Sequence, residues 1–216
     1  MDSINYSELY TLQDEVMEIV FACENIFYLT GGTCLSRFYQ AKRYSDDLDF
    51  FTHDARAFYR AVREIKIALS KAFKLVEEVS SKDFVRLRID NRLQVDFVHD
   101  RVMRFGELCY LDNGYIIDNC ENILANKFTA VMGRDSAKDI FDIYLIDKYY
   151  TYDYQEILKI AHQKAEFRDD DLLIRLKSFP LSLLKSIILI DKNFLDSFEQ
   201  EFVKTIAKIE ESIDAH

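Results

Sequence analysis

Two adjacent glycines directly after a short apolar run restrict this 216-residue chain to a small set of folds. Residues 26–29 are apolar enough for a buried strand, and Gly31 and Gly32 then permit a tight reversal of the backbone. Thr33 has the side chain of an N-cap for a helix that would follow. Exposed backbone N–H groups at such a turn attract phosphate, so Gly31, Gly32 and Thr33 are predicted to bind a phosphate group.

A pair of carboxylates follows on the next predicted strand. Asp47 and Asp49 are two residues apart, so both project from one face of a strand, while Leu48 and Phe50 point into the core. Two adjacent carboxylates repel each other unless a cation lies between them, and Mg²⁺ prefers oxygen ligands of this kind. The sequence therefore predicts a metal site at Asp47 and Asp49.

A third carboxylate lies in a predicted hairpin between residues 84 and 98, where apolar and polar residues alternate. A two-residue loop would place apolar residues opposite polar ones, whereas the three-residue loop 90–92 pairs Leu87 with Val95 and Arg86 with Asp96. Asp96 would then lie on a polar face and could complete a metal site with the other two carboxylates. The alternative that stays open is a cross-strand ion pair between Asp96 and Arg86.

These motifs, taken in order, resemble a known family. Gly-Gly-Thr-x-Leu-Ser at 31–36 and Arg-x-Ser-x-Asp-Leu-Asp-Phe at 43–50 are similar to the AbiEii/AbiGii toxin branch of the polymerase-β-like nucleotidyltransferase superfamily. Two later blocks, at residues 121–127 and 134–142, match that branch in order and spacing. The resemblance covers residues 26–142, about two-thirds of the chain.

The resemblance implies a fold and an activity. The fold would be α+β, with a small mixed sheet flanked by helices and followed by a helical C-terminal part. The activity would be metal-dependent transfer of NMP from an NTP to an acceptor, with release of pyrophosphate (EC 2.7.7-type). Asp47, Asp49 and Asp96 would hold two Mg²⁺ ions, and Asp96 would face the attacking oxygen. The biological role would be that of a toxin in phage defence, with RNA or tRNA as an acceptor and a cognate antitoxin as a partner.

The later blocks add further candidate residues. Lys127 would contact the triphosphate as a compact positive charge, although a surface lysine whose stem packs on the helix is the alternative. Asp139 would orient Lys127 or the nucleotide, and Asp142 is equally well explained as a structural ion-pair partner. Arg43 and Ser45 could reach phosphate from the segment that enters the Asp47 strand.

Hydrophobic periodicity predicts a mixed α/β part over residues 1–104 and a mostly helical part over 105–216. The resemblance implies that the first part is the nucleotidyltransferase core and that the second completes the active-site cleft. Helices are predicted at residues 5–24, 55–73, 121–132, 136–150, 153–166, 170–178, 181–190 and 194–213. A further strand is predicted near residues 74–79.

Composition limits the other possibilities. The net charge is −10, yet residues 37–104 carry 15 Lys or Arg against 11 Asp or Glu, which suits a triphosphate or an RNA end. Solvated charges on a helix, such as Arg56 and Arg60, are the alternative explanation. The four cysteines have no metal-site spacing, and no segment is apolar enough to cross a bilayer, so a cytoplasmic protein with reduced thiols is expected. A silent nucleotide-binding protein and a small-molecule or protein nucleotidyltransferase stay open as alternative functions.

Overall fold

The computed structural model describes residues 4–215 and divides into two compact units. The first, called here the sheet unit, is formed by residues up to 34 together with 45–103 and 107–118. The second, called here the helical unit, is formed by 35–44, 104–106 and the chain from 119 onward. The fold is α+β, as the sequence predicted.

The sheet unit is built on a mixed sheet of seven strands in the order β3-β4-β5-β2-β1-β7-β6. β2 runs parallel to β5 and β1 runs parallel to β7, while the other neighbours are antiparallel. The strands are β1 (Tyr28–Thr30), β2 (Asp47–Thr52), β3 (Leu75–Ser81), β4 (Phe84–Ile89), β5 (Leu93–His99), β6 (Cys109–Tyr110) and β7 (Ile116–Ile117). Helices α1 (Tyr6–Cys23) and α3 (Phe58–Leu69) belong to the same unit.

The β4–β5 hairpin has the predicted three-residue loop. Leu87 pairs with Val95 and Arg86 pairs with Asp96, so the apolar residues of both strands lie on one face. Asp90 and Asn91 in the loop adopt positive φ angles of 49° and 56°, which Asp and Asn tolerate better than other non-glycine residues. Register is set here because a shift by one residue would expose every apolar side chain of the hairpin.

The core of the sheet unit lies where β2 and β5 meet. Phe50 and Phe97 are fully buried and stack with their ring centroids 5.4 Å apart. Phe27 packs edge-on against Phe97 at 5.1 Å. Alternation places these apolar side chains on one side of β2 and leaves Asp47 and Asp49 on the other.

The boundary between the units differs from the one predicted at residue 104. Strands β6 and β7 lie after that residue and still belong to the sheet, because Ile117 pairs with Leu29 of β1. Both strands have only two residues, which is too short for an alternating pattern to be recognised. Residues 35–44 lie before the boundary and belong to the helical unit.

The helical unit contains most of the helices that periodicity predicted. They are α4 (Cys120–Gly133), α5 (Ala137–Tyr149), α6 (Tyr154–Lys164), α7 (Asp169–Ser178) and α8 (Phe198–Asp214), each within a few residues of its predicted bounds. Asn119 caps α4 and Asp153 caps α6, since each side chain accepts a hydrogen bond from a backbone N–H of the first turn. None of the helices described between residues 4 and 215 is long and apolar enough to cross a membrane.

The helix predicted over residues 181–190 is wrong beyond its first turns. A 3₁₀-helix spans Leu181–Ser186, and the backbone is then extended, so that Ile188 accepts a hydrogen bond from the backbone of Tyr44. Ile187 and Ile188 are β-branched, which favours an extended backbone. Residues 43–44 pair with this extended segment through an antiparallel bridge between Arg43 and Leu189. The helix predicted from residue 194 begins at Phe198, after a series of turns.

The helix after the two glycines also differs from the prediction. α2 spans only Gly31–Cys34 and continues into a π-helical turn over Leu35–Tyr39. Thr33 is therefore inside the helix and not its N-cap. Its fully buried side chain donates a hydrogen bond to the carbonyl of Asp47 instead.

Candidate active site

The turn formed by Gly31, Gly32 and Thr33, called here the glycine turn, lies close to a carboxylate of β2. Gly31 has a φ of +72°, a conformation that costs other residues energy. A Cβ atom at Gly31 would lie 2.8 Å from Oδ2 of Asp49, so an added side chain would have to displace that carboxylate. Glycine is thus favoured at this position by the backbone conformation and by the close approach of Asp49.

A second contact joins the turn to the same strand. The Thr33 hydroxyl donates to the carbonyl oxygen of Asp47, and Thr30 at the end of β1 pairs with Asp49 in the sheet. Asp47 and Asp49 are both half-buried and lie on one face of β2, as predicted. The hydrogen bond and the strand pairing thus join the glycine turn to the strand that carries the carboxylate pair.

A buried carboxylate that the sequence did not single out supports this turn. Asp118, fully buried after β7, accepts a 2.6 Å hydrogen bond from the Thr30 hydroxyl, and its backbone N–H donates to Leu29. Its position directly after the apolar residues 116–117 was the only sequence signal. Asp118 fixes the end of β1 just where the chain enters the glycine turn.

Asp96 lies beside the pair, but its carboxylate is bound by an arginine. β2 and β5 pair in register, so Asp96 is the neighbour of Asp49 across the parallel ladder. Arg86 donates from Nε to Oδ1 at 2.8 Å and from Nη2 to Oδ2 at 2.6 Å. The ion pair that the sequence left open is therefore present in the structure.

The donor set fits a metal ion in part. Asp47 and Asp49 offer hard oxygen ligands on one face, next to a turn that suits phosphate. In the described chain, however, no three His, Cys, Asp or Glu side chains are arranged to hold a metal ion. Both oxygens of Asp96 accept hydrogen bonds from Arg86. The arrangement thus fits a cation on two carboxylates better than the predicted set of three.

Four further candidate residues form a buried ion cluster in the helical unit: Arg43, Lys127, Asp139 and Asp142. Arg43 makes two 2.8 Å hydrogen bonds to Asp142, one to each carboxylate oxygen. Lys127 Nζ lies 2.9 Å from Asp139 and 2.6 Å from Asp142. Lys127 is only 8% exposed, so it is not a surface lysine. Arg134 adds a second cation to Asp139 at 2.7 Å.

Electrostatics keep this cluster charged despite its burial. Burial alone would lower the pKa of Lys127, but the negative charges of Asp142 and Asp139 outweigh it and raise that pKa. Burial would raise the pKa of Asp139, but Lys127 and Arg134 hold it at about 2. Arg43 and Lys127 likewise overcome burial and lower the pKa of Asp142. Ionised Asp139 and Asp142 therefore fix the ammonium of Lys127 in position.

The shifted pKa of Asp139 predicts how stability depends on pH. The pKa of Asp139 is about 2 in the folded protein, below its ordinary value of 3.8. Ionised Asp139 therefore stabilises the fold above about pH 4, and this stabilisation is lost as the pH falls toward 2. The loss is on the order of 2 kcal/mol. Urea unfolding between pH 5 and 2 should show a shallower pH dependence for Asp139→Asn than for the wild type, whereas Asp135→Asn, which removes an exposed carboxylate, should leave it unchanged. An equal slope for wild type and Asp139→Asn would contradict this assignment.

The last two candidates belong to different units. Arg43 belongs to the helical unit and contributes its guanidinium to the ion cluster. Ser45 is buried in the sheet unit, where its carbonyl accepts a 2.9 Å hydrogen bond from Gln13 and its N–H donates to the Tyr10 hydroxyl. Helix α1 thereby fixes the segment that leads into β2.

The motifs and this geometry agree with a comparison against known families. The model of the nucleotidyl transferase AbiEii toxin family, from a type IV TA (toxin–antitoxin) system, matches residues 19–214. The chain belongs to the AbiEii family. Both the glycine turn and the ion cluster lie inside the matched range, and enzymes of this nucleotidyltransferase type generally use a divalent metal.

Individual relatives of this AbiEii chain are distant. An uncharacterized protein of Aquifex aeolicus (strain VF5), aq_aa25, is 29% identical over 164 residues, which cover 71% of this chain and 72% of the relative. A crystal structure of an H. pylori protein assigned to the nucleotidyltransferases has a TM-score of 0.63 at 19% identity, covering 100% of this chain and 99% of its own. MenT4, a nucleotidyltransferase toxin of Mycobacterium tuberculosis H37Rv, has a TM-score of 0.63 at 16% identity, covering 95% and 84%. At these identities the two structures support the fold alone.

Proposed function

We propose that this AbiEii-family chain transfers a nucleoside monophosphate from an NTP to an acceptor and releases pyrophosphate. The observation that carries this proposal is the close approach of the Asp49 carboxylate to Gly31, where an added Cβ atom would lie 2.8 Å from Oδ2. This proximity supports a site in which the turn binds phosphate and the two carboxylates bind a cation, the arrangement that metal-assisted phosphoryl chemistry requires.

The residues of the sheet unit have distinct roles in this proposal. Backbone N–H groups of the glycine turn bind the β- and γ-phosphates, because no side chain at Gly31 or Gly32 blocks their approach. Asp47 and Asp49 hold a divalent cation, which when bound neutralises charge on the phosphates. Thr33 bonds the turn to β2, and Asp118 fixes the end of β1 where the turn begins, so the pair is positioned before the nucleotide binds.

The ion cluster supplies the proposed contribution of the helical unit. Lys127, predicted from the family resemblance to contact phosphate, is held by Asp139 and Asp142 in one orientation. A fixed, fully charged lysine is suited to stabilise charge on a leaving pyrophosphate. In this proposal Asp139 orients Lys127, whereas Arg43 and Asp142 form the ion pair that surrounds it.

For the acceptor we propose an RNA end, and for regulation a cognate antitoxin. The acceptor proposal is supported by three exposed arginines, Arg56 just before helix α3 and Arg60 and Arg63 within it. All three lie in the net positive segment 37–104, which suits a nucleic-acid backbone. The partner follows from the toxin–antitoxin character of the family. The sequence contains no motif that identifies which of the four NTPs is preferred.

The acceptor and the nucleotide can be found in one experiment. The purified chain is incubated with Mg²⁺ and each α-³²P-labelled NTP in turn, together with total RNA or with total protein, and the incorporated label is counted. Label in RNA from one NTP supports the proposal and names the nucleotide, whereas label in protein shows a different acceptor class. Binding of NTP without label in either pool would favour the silent nucleotide-binding protein or a small-molecule acceptor.

A substitution at Gly31 tests whether the turn positions the carboxylate. Gly31→Ala should lose about ten-fold or more in transfer, because its Cβ would displace the Asp49 carboxylate, and should also cost about 1 kcal/mol in stability for the positive φ. Gly114→Ala is the matched control, since Gly114 has a φ of +84° but nothing within 4 Å of an added Cβ. It should show a similar loss of stability and full transfer. Equal transfer by both variants would argue against the positioning role.

A further inference from the structure

The carboxylate of Asp96 is surrounded by hydrogen-bond donors from its own sheet. Arg86 binds both oxygens in a bidentate pair with distances of 2.8 and 2.6 Å, and Gln94 Nε2 donates to Oδ2 at 3.2 Å. The Asp96 side chain is only 7% exposed, while that of Arg86 is 34% exposed. Charge-assisted bidentate pairs of this geometry are among the strongest side-chain interactions in proteins.

The sheet register explains why a cation is needed at this place. Asp96 is the in-register neighbour of Asp49 on one side and of Arg86 on the other. Asp49 and Asp96 therefore bring two carboxylates onto adjacent strands, and the guanidinium of Arg86 supplies a positive charge bonded to Asp96. The hydrogen bond to Asp96 raises the pKa of Arg86, and the charge of Asp49 also contributes to raising it.

We propose that Arg86 takes the place of a second metal ion in this chain, holding Asp96 in a permanent ion pair so that one divalent cation binds to Asp47 and Asp49 alone. This inference rests on the proposed function, because it assigns the ligands of the same site. Arg86 and Asp96 then satisfy each other's charge and take no direct part in binding the cation. The absence of a three-carboxylate metal arrangement among residues 4–215 agrees with it.

The energetics favour the pair over its exchange for a metal ion. Freeing Asp96 would require breaking two charge-assisted hydrogen bonds at a nearly buried carboxylate. A metal bound there would also meet the guanidinium of Arg86, which is tethered to the neighbouring strand and cannot diffuse away. A second metal ion would therefore compete with the guanidinium of Arg86, whose effective concentration at Asp96 is high because both residues belong to one sheet.

Binding of Mn²⁺ alone, measured by water proton relaxation enhancement, tests this without turnover. In the Arg86→Gln/Asp96→Asn double variant the net charge of the site is unchanged, so the Mn²⁺ dissociation constant should stay within about three-fold of the wild type if Asp96 is not a ligand. The Arg86→Gln single variant frees Asp96 and should bind Mn²⁺ about five-fold more tightly or better. Arg88→Gln, two residues along β4, removes the same charge without freeing Asp96 and should change affinity by less than about two-fold.

The outcomes separate this inference from the proposed function. A loss of about ten-fold or more in the double variant would show that Asp96 is a metal ligand and would overturn the inference. Equal effects of Arg86→Gln and Arg88→Gln would also overturn it. Asp49→Asn should weaken Mn²⁺ binding by about ten-fold or more. If Asp49→Asn has no effect, or if the wild type does not bind Mn²⁺, the cation site of the proposed function fails and the inference fails with it.

Discussion

Asp49→Asn is expected to reduce the rate of nucleotide transfer by about a thousand-fold, equivalent to roughly 4 kcal/mol of transition-state stabilisation. Asn retains the size of Asp and removes the charge that would hold the cation. Asp49 lies half-buried on the polar face of β2, so the fold should survive the change. Single-turnover transfer gives the rate, and circular dichroism with thermal unfolding verifies the fold.

The neighbouring carboxylate offers the matched control for this substitution. Asp46 precedes β2 and accepts a 2.8 Å hydrogen bond from the Tyr6 hydroxyl of helix α1. Asp46→Asn makes the same chemical change three residues away and should leave transfer within about three-fold of the wild type. Retention of more than about a tenth of the activity in Asp49→Asn would remove Asp49 from the catalytic site.

The second large effect is expected on stability, at the Arg43–Asp142 pair. Both side chains are at least 98% buried, and Arg43 donates two hydrogen bonds to Asp142. Arg43→Met should lower the free energy of unfolding by about 3 kcal/mol or more, because Asp142 then keeps a buried negative charge with only Lys127 opposite it. Urea unfolding monitored by the helical circular dichroism signal measures this loss.

Two further variants test whether burial of the pair causes the large loss of stability in Arg43→Met. Arg88→Met breaks an ion pair with Glu78 in which both side chains are about one-third exposed, and it should cost under about 1 kcal/mol. The double variant Arg43→Met/Asp142→Leu removes both charges and should be less destabilised than the sum of its single variants. A cost below about 1 kcal/mol for Arg43→Met would contradict the structural role of this pair.

Short-range patterns in the sequence were sufficient for part of this fold. The β4–β5 register was predictable because a period of two leaves a single pairing that keeps Leu87 and Val95 on the same face. The same argument placed Asp47 and Asp49 together on one face of β2. By contrast, residues 187–189 have apolar spacing compatible with helix or strand, and only their partner at residues 43–44 decides between the two.

Partners that are distant in sequence could not be predicted in this way. Arg43 and Asp142 are 99 residues apart in sequence. No periodicity in the sequence indicates that the arginine of this motif forms an ion pair with Asp142. For Asp96 the sequence defined two partners, a metal ion and Arg86, because either satisfies a carboxylate on a polar face. The structure contains the pair with Arg86. Asp118 was missed because a single Asp after a two-residue strand has no pattern to reveal it.

The most direct test of nucleotidyl transfer compares NTP labelled at the α-phosphate with the same NTP labelled at the γ-phosphate. The purified chain, its Asp49→Asn variant and the total RNA pool are used, and label is followed in the acceptor and in pyrophosphate. We predict that wild-type protein places α-label in the acceptor and γ-label only in pyrophosphate, and that Asp49→Asn does neither. Transfer of γ-label to an acceptor, or α-label incorporation that Asp49→Asn leaves unchanged, would contradict a nucleotidyltransferase site at Asp47 and Asp49.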